Sequence, residues 1–151
     1  MGVYSFLDVQ AAINGPGGSF SLGNGSGAAE EGITVEMIDD KNTMVIGADG
    51  TGQHNLHAGK GGTITIRLLK TSPTNALMAE LYNYQTQSSA YHGQNTISIR
   101  NPVSGDSITG QQCAFKKLPA NGYAKDGAIM EWVLDSIRVD QKLGNGQPAL
   151  V

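Results

Sequence analysis

Two histidines and an aspartate lie close together in the glycine-rich stretch of residues 47–62, and imidazole and carboxylate groups are common ligands of zinc and iron. These residues are Asp49, His54 and His57, and His92 follows further along the chain. An HxxH pair is good evidence for a metal only when a helix places both rings on one face. We therefore favour polar contacts for these histidines, and a His-based metalloenzyme is the alternative.

The same stretch partly resembles a phosphate-binding loop, because Gly59 and Lys60 occur in the order found at the end of a Walker A motif. That motif requires a glycine five residues before its second glycine and a hydroxyl residue after the lysine. His54 and Gly61 occupy those positions, and a strand pattern follows where the motif needs a helix. The sequence therefore predicts no nucleotide site.

Nucleophilic catalysis has no good candidate either. The single cysteine, Cys113, lies in an apolar-patterned run without an activating neighbour, and the chain contains no GxSxG motif. The adjacent carboxylates, Glu30-Glu31 and Asp39-Asp40, point apart in a strand or turn. We therefore predict that the protein is not an enzyme and holds no cofactor.

The composition indicates one domain over residues 1–151, long enough to bury a core without a disulfide or metal. Charged residues make up 15% of the chain and the net charge is −3, which argues against a protein that grips nucleic acid. No uninterrupted apolar run exceeds four residues, so no transmembrane segment is expected.

Alternating apolar residues predict several strands, of which "TITIRLL" has the clearest period of two. One helix is predicted from "SPTNALMAELYNYQTQS", with Ser72 capping its start. Trp132, Leu77 and Leu81 are the predicted core anchors. Six or seven strands with one helix favour a small β-barrel or β-sandwich with the helix packed on one side.

Two glycine-rich segments, 14–32 and 47–62, are predicted to be long loops, the first with one short possible strand inside it, and residues 144–151 a flexible tail. Between the loops, "ITVEMID" and "TMVIGAD" are separated by "DKN", which predicts a hairpin. Long polar loops and open sheet edges are typical of a chain that assembles.

Three stretches resemble the tail tube proteins of bacteriophages with contractile tails, which are related to type VI secretion and phage-like bacteriocin tubes. They are "YSFLDVQAAINGPGGSFSLG", "LHAGKGGTITIRLLKTSPTNALMAELYN" and "AFKKLPANGYAKDGAIMEWVLDSIRVDQKLG". The resemblance implies a structural virion protein whose hexameric rings stack into the tube that conducts DNA during ejection. A virion decoration or carbohydrate-binding β-sandwich is the alternative.

The resemblance also implies partners and a location. The partners are further copies of the chain, the tail sheath, the tape measure protein, the baseplate and the tail terminator, with no membrane. DNA passes through the lumen without specific binding. The location is the virion tail, assembled in the host cytoplasm.

Two sets of candidate assembly residues follow from this resemblance. The loop 47–62 is expected to reach a neighbouring ring, with the segment 14–32 as its rival, and its contact residues would be Asp49, Gly50, Gln53, His54, His57 and Lys60. The polar faces of the alternating strands are expected to line the lumen, through Thr34, Glu36, Thr63 and Thr65.

Overall fold

The computed structural model describes residues 2–23, 25 and 27–146, which form nine β-strands and one α-helix after a short 3-10 helix, Phe6–Asp8. The strands are β1 (Gln10–Gly15), β2 (Gly18–Ser21), β3 (Ala28–Met37), β4 (Asn42–Ile46), β5 (Gly52–Leu56), β6 (Gly62–Leu68), β7 (Asn95–Asn101), β8 (Asp106–Lys117) and β9 (Met130–Lys142). The helix α1 spans Thr74–Gln85.

Seven strands form one antiparallel sheet in the order β2-β1-β7-β8-β9-β6-β3, and β4 pairs with β5 alone. The prediction of a mainly β fold with one helix is confirmed. The sheet is open, however, and does not close into a barrel, because the edge strands β2 and β3 each have a neighbour on one side only.

The side chains of β6 alternate between the core and the outer face of the sheet. Ile64, Ile66 and Leu68 are fully buried, whereas Thr63 and Thr65 lie on the other face. Residues from β1, β7, β8 and β9 join the same apolar cluster as the helix residues Met78 and Leu81. The helix therefore covers the core side of the sheet, and the opposite side of β6 carries the polar residues Thr63, Thr65 and Arg67.

The three predicted core anchors differ in their burial. Trp132 and Leu81 are 1% and 2% exposed, but Leu77 is 43% exposed, so its assignment to the core is wrong. The buried stripe of α1 runs through Thr74, Met78, Leu81 and Gln85. With 3.6 residues per turn, Leu77 points about 70° away from the centre of that stripe.

Aromatic contacts connect the helix to the sheet. Phe115 packs edge-to-face against Trp132, with ring centroids 6.0 Å apart, and against Tyr82 of the helix at 5.7 Å. Trp132 Nε1 also donates a hydrogen bond of 3.0 Å to Asn75 Oδ1 in the first helical turn. The ring of Trp132 is buried while its one polar atom is satisfied, as buried indoles require.

A buried pair of amide side chains holds the other end of the helix. Gln85 and Asn95 exchange two hydrogen bonds of 2.6 Å, with Gln85 Nε2 donating to Asn95 Oδ1 and Asn95 Nδ2 donating to Gln85 Oε1. Gln85 Nε2 also donates to Pro16 O at 3.0 Å, and Asn95 Nδ2 donates to Cys113 O at 3.1 Å. The pair therefore joins α1, the β1–β2 turn, β7 and β8.

Three local predictions are corrected by the strand pairing. The segment 14–32 contains β2 and the start of β3, and the segment 47–62 contains β5, so neither is a continuous loop. The hairpin expected across "DKN" does not form, because β3 pairs with β6 and β4 pairs with β5. Pairing with β6 sets Ile33 and Val35 opposite Ile66 and Ile64, which extends the core. Of the predicted tail 144–151, residues 147–151 lie outside the described residues.

Substitution Asn95→Ala should lower the free energy of unfolding by about 1–3 kcal/mol, because it leaves the buried amide of Gln85 without its partner. Urea denaturation of the purified chain measures the change. Asn83→Ala, at an exposed position of the same helix, is the control and should stay within about 0.5 kcal/mol of the wild type. Equal stability of the two variants would contradict the structural role of the pair.

Candidate functional site

The strands β4 and β5 form a two-stranded arm, residues 42–56, that stands apart from the seven-stranded sheet. Every residue of the arm is exposed except Asn55, which is half-buried. An isolated hairpin is marginally stable in water, and large apolar side chains rarely stay uncovered without a reason. The arm is therefore the strongest candidate for a contact with another molecule.

The two faces of the arm differ in chemistry. The register pairs Met44 with His54, Ile46 with Gly52 and Asn42 with Leu56, so these residues share one face. Met44, Ile46 and Leu56 on this face are 60%, 57% and 87% exposed, and we call these three residues the apolar arm face. The opposite face carries mainly polar residues, namely Thr43, Val45, Gln53 and Asn55.

The tip of the arm is a tight turn that depends on Asp49 and Gly50. Gly47 N donates to Thr51 O at 2.7 Å, and Gly50 takes the left-handed conformation with a φ of 89°, which favours glycine. The Asp49 carboxylate accepts hydrogen bonds from the hydroxyl and the backbone N–H of Thr51. These bonds lower the pKa of Asp49 below its ordinary value, the hydroxyl contributing most.

The base of the arm is held by two lysines. Lys41 Nζ donates to the carbonyls of His57 and Gly59 at 3.1 and 2.7 Å. Lys60 forms a salt bridge of 3.6 Å with Asp140, and its carbonyl accepts a 2.8 Å hydrogen bond from Val139 N. These contacts fix the direction in which the arm leaves the body of the protein.

The predicted inter-ring residues lie partly in this arm and partly in the segment that follows it. Asp49 and Gly50 form the tip, Gln53 and His54 lie on β5, and His57 and Lys60 lie at the base. Whether they contact a neighbouring ring stays a prediction. The apolar arm face was missed by sequence reasoning, although the alternation of Met44 and Ile46 was a signal for it.

The histidines do not converge on a common point. His54 and His57 are three residues apart in extended chain, so their side chains leave opposite faces of the arm. His54 Nδ1 lies 3.2 Å from Asn42 Nδ2, and His57 Nε2 lies 3.0 Å from Thr43 Oγ1. Among the side chains that the structure describes, which leave out residues 29–31, no three His, Cys, Asp or Glu group as metal ligands would.

Cys113 is fully buried in the core. Burial raises the pKa of its thiol, so the sulfur stays protonated at neutral pH and is a poor nucleophile.

The four predicted lumen residues lie together on the polar side of the sheet. The register pairs Thr34 with Thr65 and Glu36 with Thr63, on the face opposite the core. Arg67, on the same face, donates to Thr34 Oγ1 at 2.8 Å and approaches Glu131 at 3.4 Å. Hydroxyl groups and paired charges therefore dominate this part of the surface, and its place in a lumen stays a prediction.

No helix in the part of the chain that the structure describes is long and apolar enough to cross a membrane.

The structure thus combines an open antiparallel sheet, one covering helix and an uncovered arm, and comparison with known proteins identifies the family. Residues 1–144 match the family described as the bacteriophage PhiTE tail tube protein. The chain belongs to this family of phage tail tube proteins. It is therefore a structural component of the virion tail, which confirms the tail tube resemblance read from the sequence.

One relative is the structural protein ORF10 of Pseudomonas phage KPP10, which is 22% identical over 115 residues. The match covers 76% of this chain and 66% of that relative, so the chain spans just under two thirds of the relative's length.

Two solved structures of the PVC extracellular contractile injection system in the extended state have a similar fold. The chain in the sheath/tube terminator structure has a TM-score of 0.59 at 14% identity, covering 89% of this chain and 92% of that chain. The chain in the sheath-tube complex has a TM-score of 0.56 at 12% identity, covering 89% and 88%. At these identities the likeness shows a shared fold.

Acid should loosen the tip of the arm. The folded pKa of Asp49 is below its ordinary value of 3.8, so its stabilisation is present above that value and is lost as the pH falls through the folded pKa. Amide hydrogen exchange at Thr51, after correction for the intrinsic rate, should therefore accelerate below pH 3.8 relative to pH 6. In the Asp49→Ala variant the protection at pH 6 should already be low, and an unchanged protection there would contradict the role of this carboxylate.

Proposed function

We propose that the chain is the subunit of hexameric rings that stack into the tube of a contractile tail, the conduit for DNA during ejection. The observation that carries the proposal is the arm, whose apolar face the chain itself leaves uncovered. Membership of a tail tube family supports the same conclusion.

The open sheet edges suit this assembly. The β3 edge extends over Ala28–Met37, and unpaired edges readily accept a strand of another chain. A head-to-tail contact that closes makes a ring, and such a ring leaves no edge exposed. A tube that withstands contraction needs an obligate interface, on the order of 2,000 Å² or more per contact.

The polar side of the sheet suits the wall of a DNA conduit. Cations on a lumen wall would bind phosphate and retard the DNA, whereas the part of this face on β3 and β6 carries hydroxyls and the ion pair Arg67–Glu131. We place Thr34, Glu36, Thr63 and Thr65 on that wall.

The similar structures support the choice of partners, because those assemblies combine tube, sheath and terminator. We propose that this tube binds a sheath on its outside and a terminator at its end, and also meets the tape measure protein and the baseplate. Assembly would take place in the host cytoplasm.

Electron microscopy of the concentrated protein tests the proposal. The wild type should form stacked hexameric rings, and a variant with residues 42–56 replaced by a short Gly-Ser turn should not elongate into tubes. The ends of the deletion are close together, since His57 N donates to Lys41 O at 2.9 Å, so the body should still fold.

Circular dichroism and urea denaturation provide the control for folding of this variant. A wild type that stays monomeric at every concentration would overturn the proposed function. Normal tubes from the variant without the arm would overturn the role of the arm alone.

Substitution Glu36→Lys should leave the tubes intact but slow DNA ejection severalfold, and more strongly at low salt, because the new cation binds phosphate. The rate of ejection from phages carrying the variant measures the effect. Glu80→Lys, on the exposed side of α1, changes the charge equally and should eject normally. Equal ejection rates for the two variants would contradict a lumen position for Glu36.

A further inference from the structure

Two rows of polar side chains cross β7, β8 and the end of β9 on one face of the sheet. Residues that pair between neighbouring antiparallel strands point to the same face, so the register identifies the members of each row. We call the six residues of the two rows the basic patch, namely Arg100–Ser107–Lys142 and Ser98–Thr109–Asp140.

The basic patch lies on the side of the sheet opposite the core. Ser98 and Arg100 flank Ile99, which packs against the hydrophobic core. On β9, Val139 next to Asp140 is buried, so Asp140 points away from the core. The patch therefore belongs to the polar face that we place on the lumen wall.

Two cations of the patch are unpaired. Arg100 and Lys142 are exposed, and neither forms an ion pair in the described part of the chain. The carboxylate of the patch is already engaged, because Asp140 accepts a hydrogen bond of 3.0 Å from Arg138 Nε and lies 3.6 Å from Lys60 Nζ. The patch is therefore locally positive, although the chain as a whole carries a net charge of −3.

Other carboxylates do not neutralise these two cations. Asp106 pairs with the buried Asn101, so it lies on the core side of the sheet. Glu131 approaches Arg67 at 3.4 Å in the half of the polar face around β6. One half of the polar face is thus neutralised by its own ion pair, whereas the half around β8 keeps free positive charge.

We propose that the basic patch contacts the phosphate backbone of DNA inside the tube. This contact rests on the proposed lumen position of the polar face and deepens that proposal. Arg100 and Lys142 are separated by two strand spacings, about 10 Å, and Ser107 lies between them. The two cations each attract a phosphate, and the serine hydroxyl donates a hydrogen bond to a phosphate oxygen.

The chemistry of the patch favours DNA over a protein partner. Its six side chains include no large apolar or aromatic group, so it offers neither an interface anchor nor a platform on which bases stack. Contacts to phosphate alone do not depend on the base sequence. Two free cations per subunit are few beside the roughly six to ten phosphate contacts that give strong salt-dependent binding, so the DNA can still move.

The salt dependence of DNA binding tests this contact. A short fluorescent duplex is mixed with assembled tubes at several salt concentrations, and the bound fraction is measured after the tubes are sedimented. Each cation removed should flatten the slope of log K against log salt by about 0.9. The variant Arg100→Gln/Lys142→Gln should therefore have a slope less steep than that of the wild type by about 1.8.

Lys125→Gln is the matched control for Lys142→Gln, because each removes one lysine charge. Lys125 is exposed in the segment between β8 and β9 and lies outside the patch, so its variant should keep the wild-type slope. Equal slopes for these two variants would overturn the contact, as would wild-type tubes that bind no duplex. A glutamate peptide that binds the tubes as strongly as the duplex would overturn the choice of phosphate.

DNA ejection provides a second readout. Phages carrying Arg100→Gln/Lys142→Gln should eject DNA severalfold faster than the wild type at low salt, and the difference should shrink at high salt because salt screens the cations. Equal ejection rates at low salt would contradict the contact.

Tube formation separates this contact from the proposed function. Since Arg100 and Lys142 form no ion pair within the subunit, both variants should assemble, and a loss of tubes in these variants alone would place the cations in an interface and overturn the contact. Tubes whose DNA binding does not depend on the patch would overturn the contact only. A wild type without tubes would overturn the proposed function, and the contact with it.

Discussion

The buried amide pair of Gln85 and Asn95 is the interaction on which the arrangement of the core depends. Two polar side chains in an apolar interior must satisfy each other, and these two also bind the backbone of Pro16 and Cys113. These hydrogen bonds therefore fix the position of the C-terminal end of α1 against the β1–β2 turn, β7 and β8. The amide pair also requires a glycine at position 15, because a Cβ there would lie 1.9 Å from Asn95 Oδ1.

With the helix fixed on one side, the sheet has a covered core face, a polar face and two open edges. The sheet does not close into a barrel, so its two edges stay unpaired within the chain. The chain leaves unpaired backbone at β2 and β3 and an uncovered apolar arm, features that a monomer would have to protect. We propose that in this tail tube protein they are the means of assembly, and that the polar face lines the lumen.

The sequence was most informative where one local pattern decided the outcome. The period of two in "TITIRLL" and the signals around Ser72 placed β6 and α1, since neither depends on distant residues. The phosphate-loop alternative failed at His54 and Gly61 by motif alone. Strand pairing was less predictable: β3 pairs with β6 across the arm, because matching apolar faces outweighed the short turn at "DKN".

By itself, the sequence determined the fold class, the polar and apolar faces of the best strands and the tail tube family, because these depend on residue order and spacing. Only the tertiary structure decided that the glycine-rich stretch 47–62 contributes a strand to an arm with one apolar face. It also decided that Leu77 lies outside the core and that the sheet stays open between its edge strands β2 and β3. Those features depend on register and helix rotation, which are set by contacts between residues far apart in the chain.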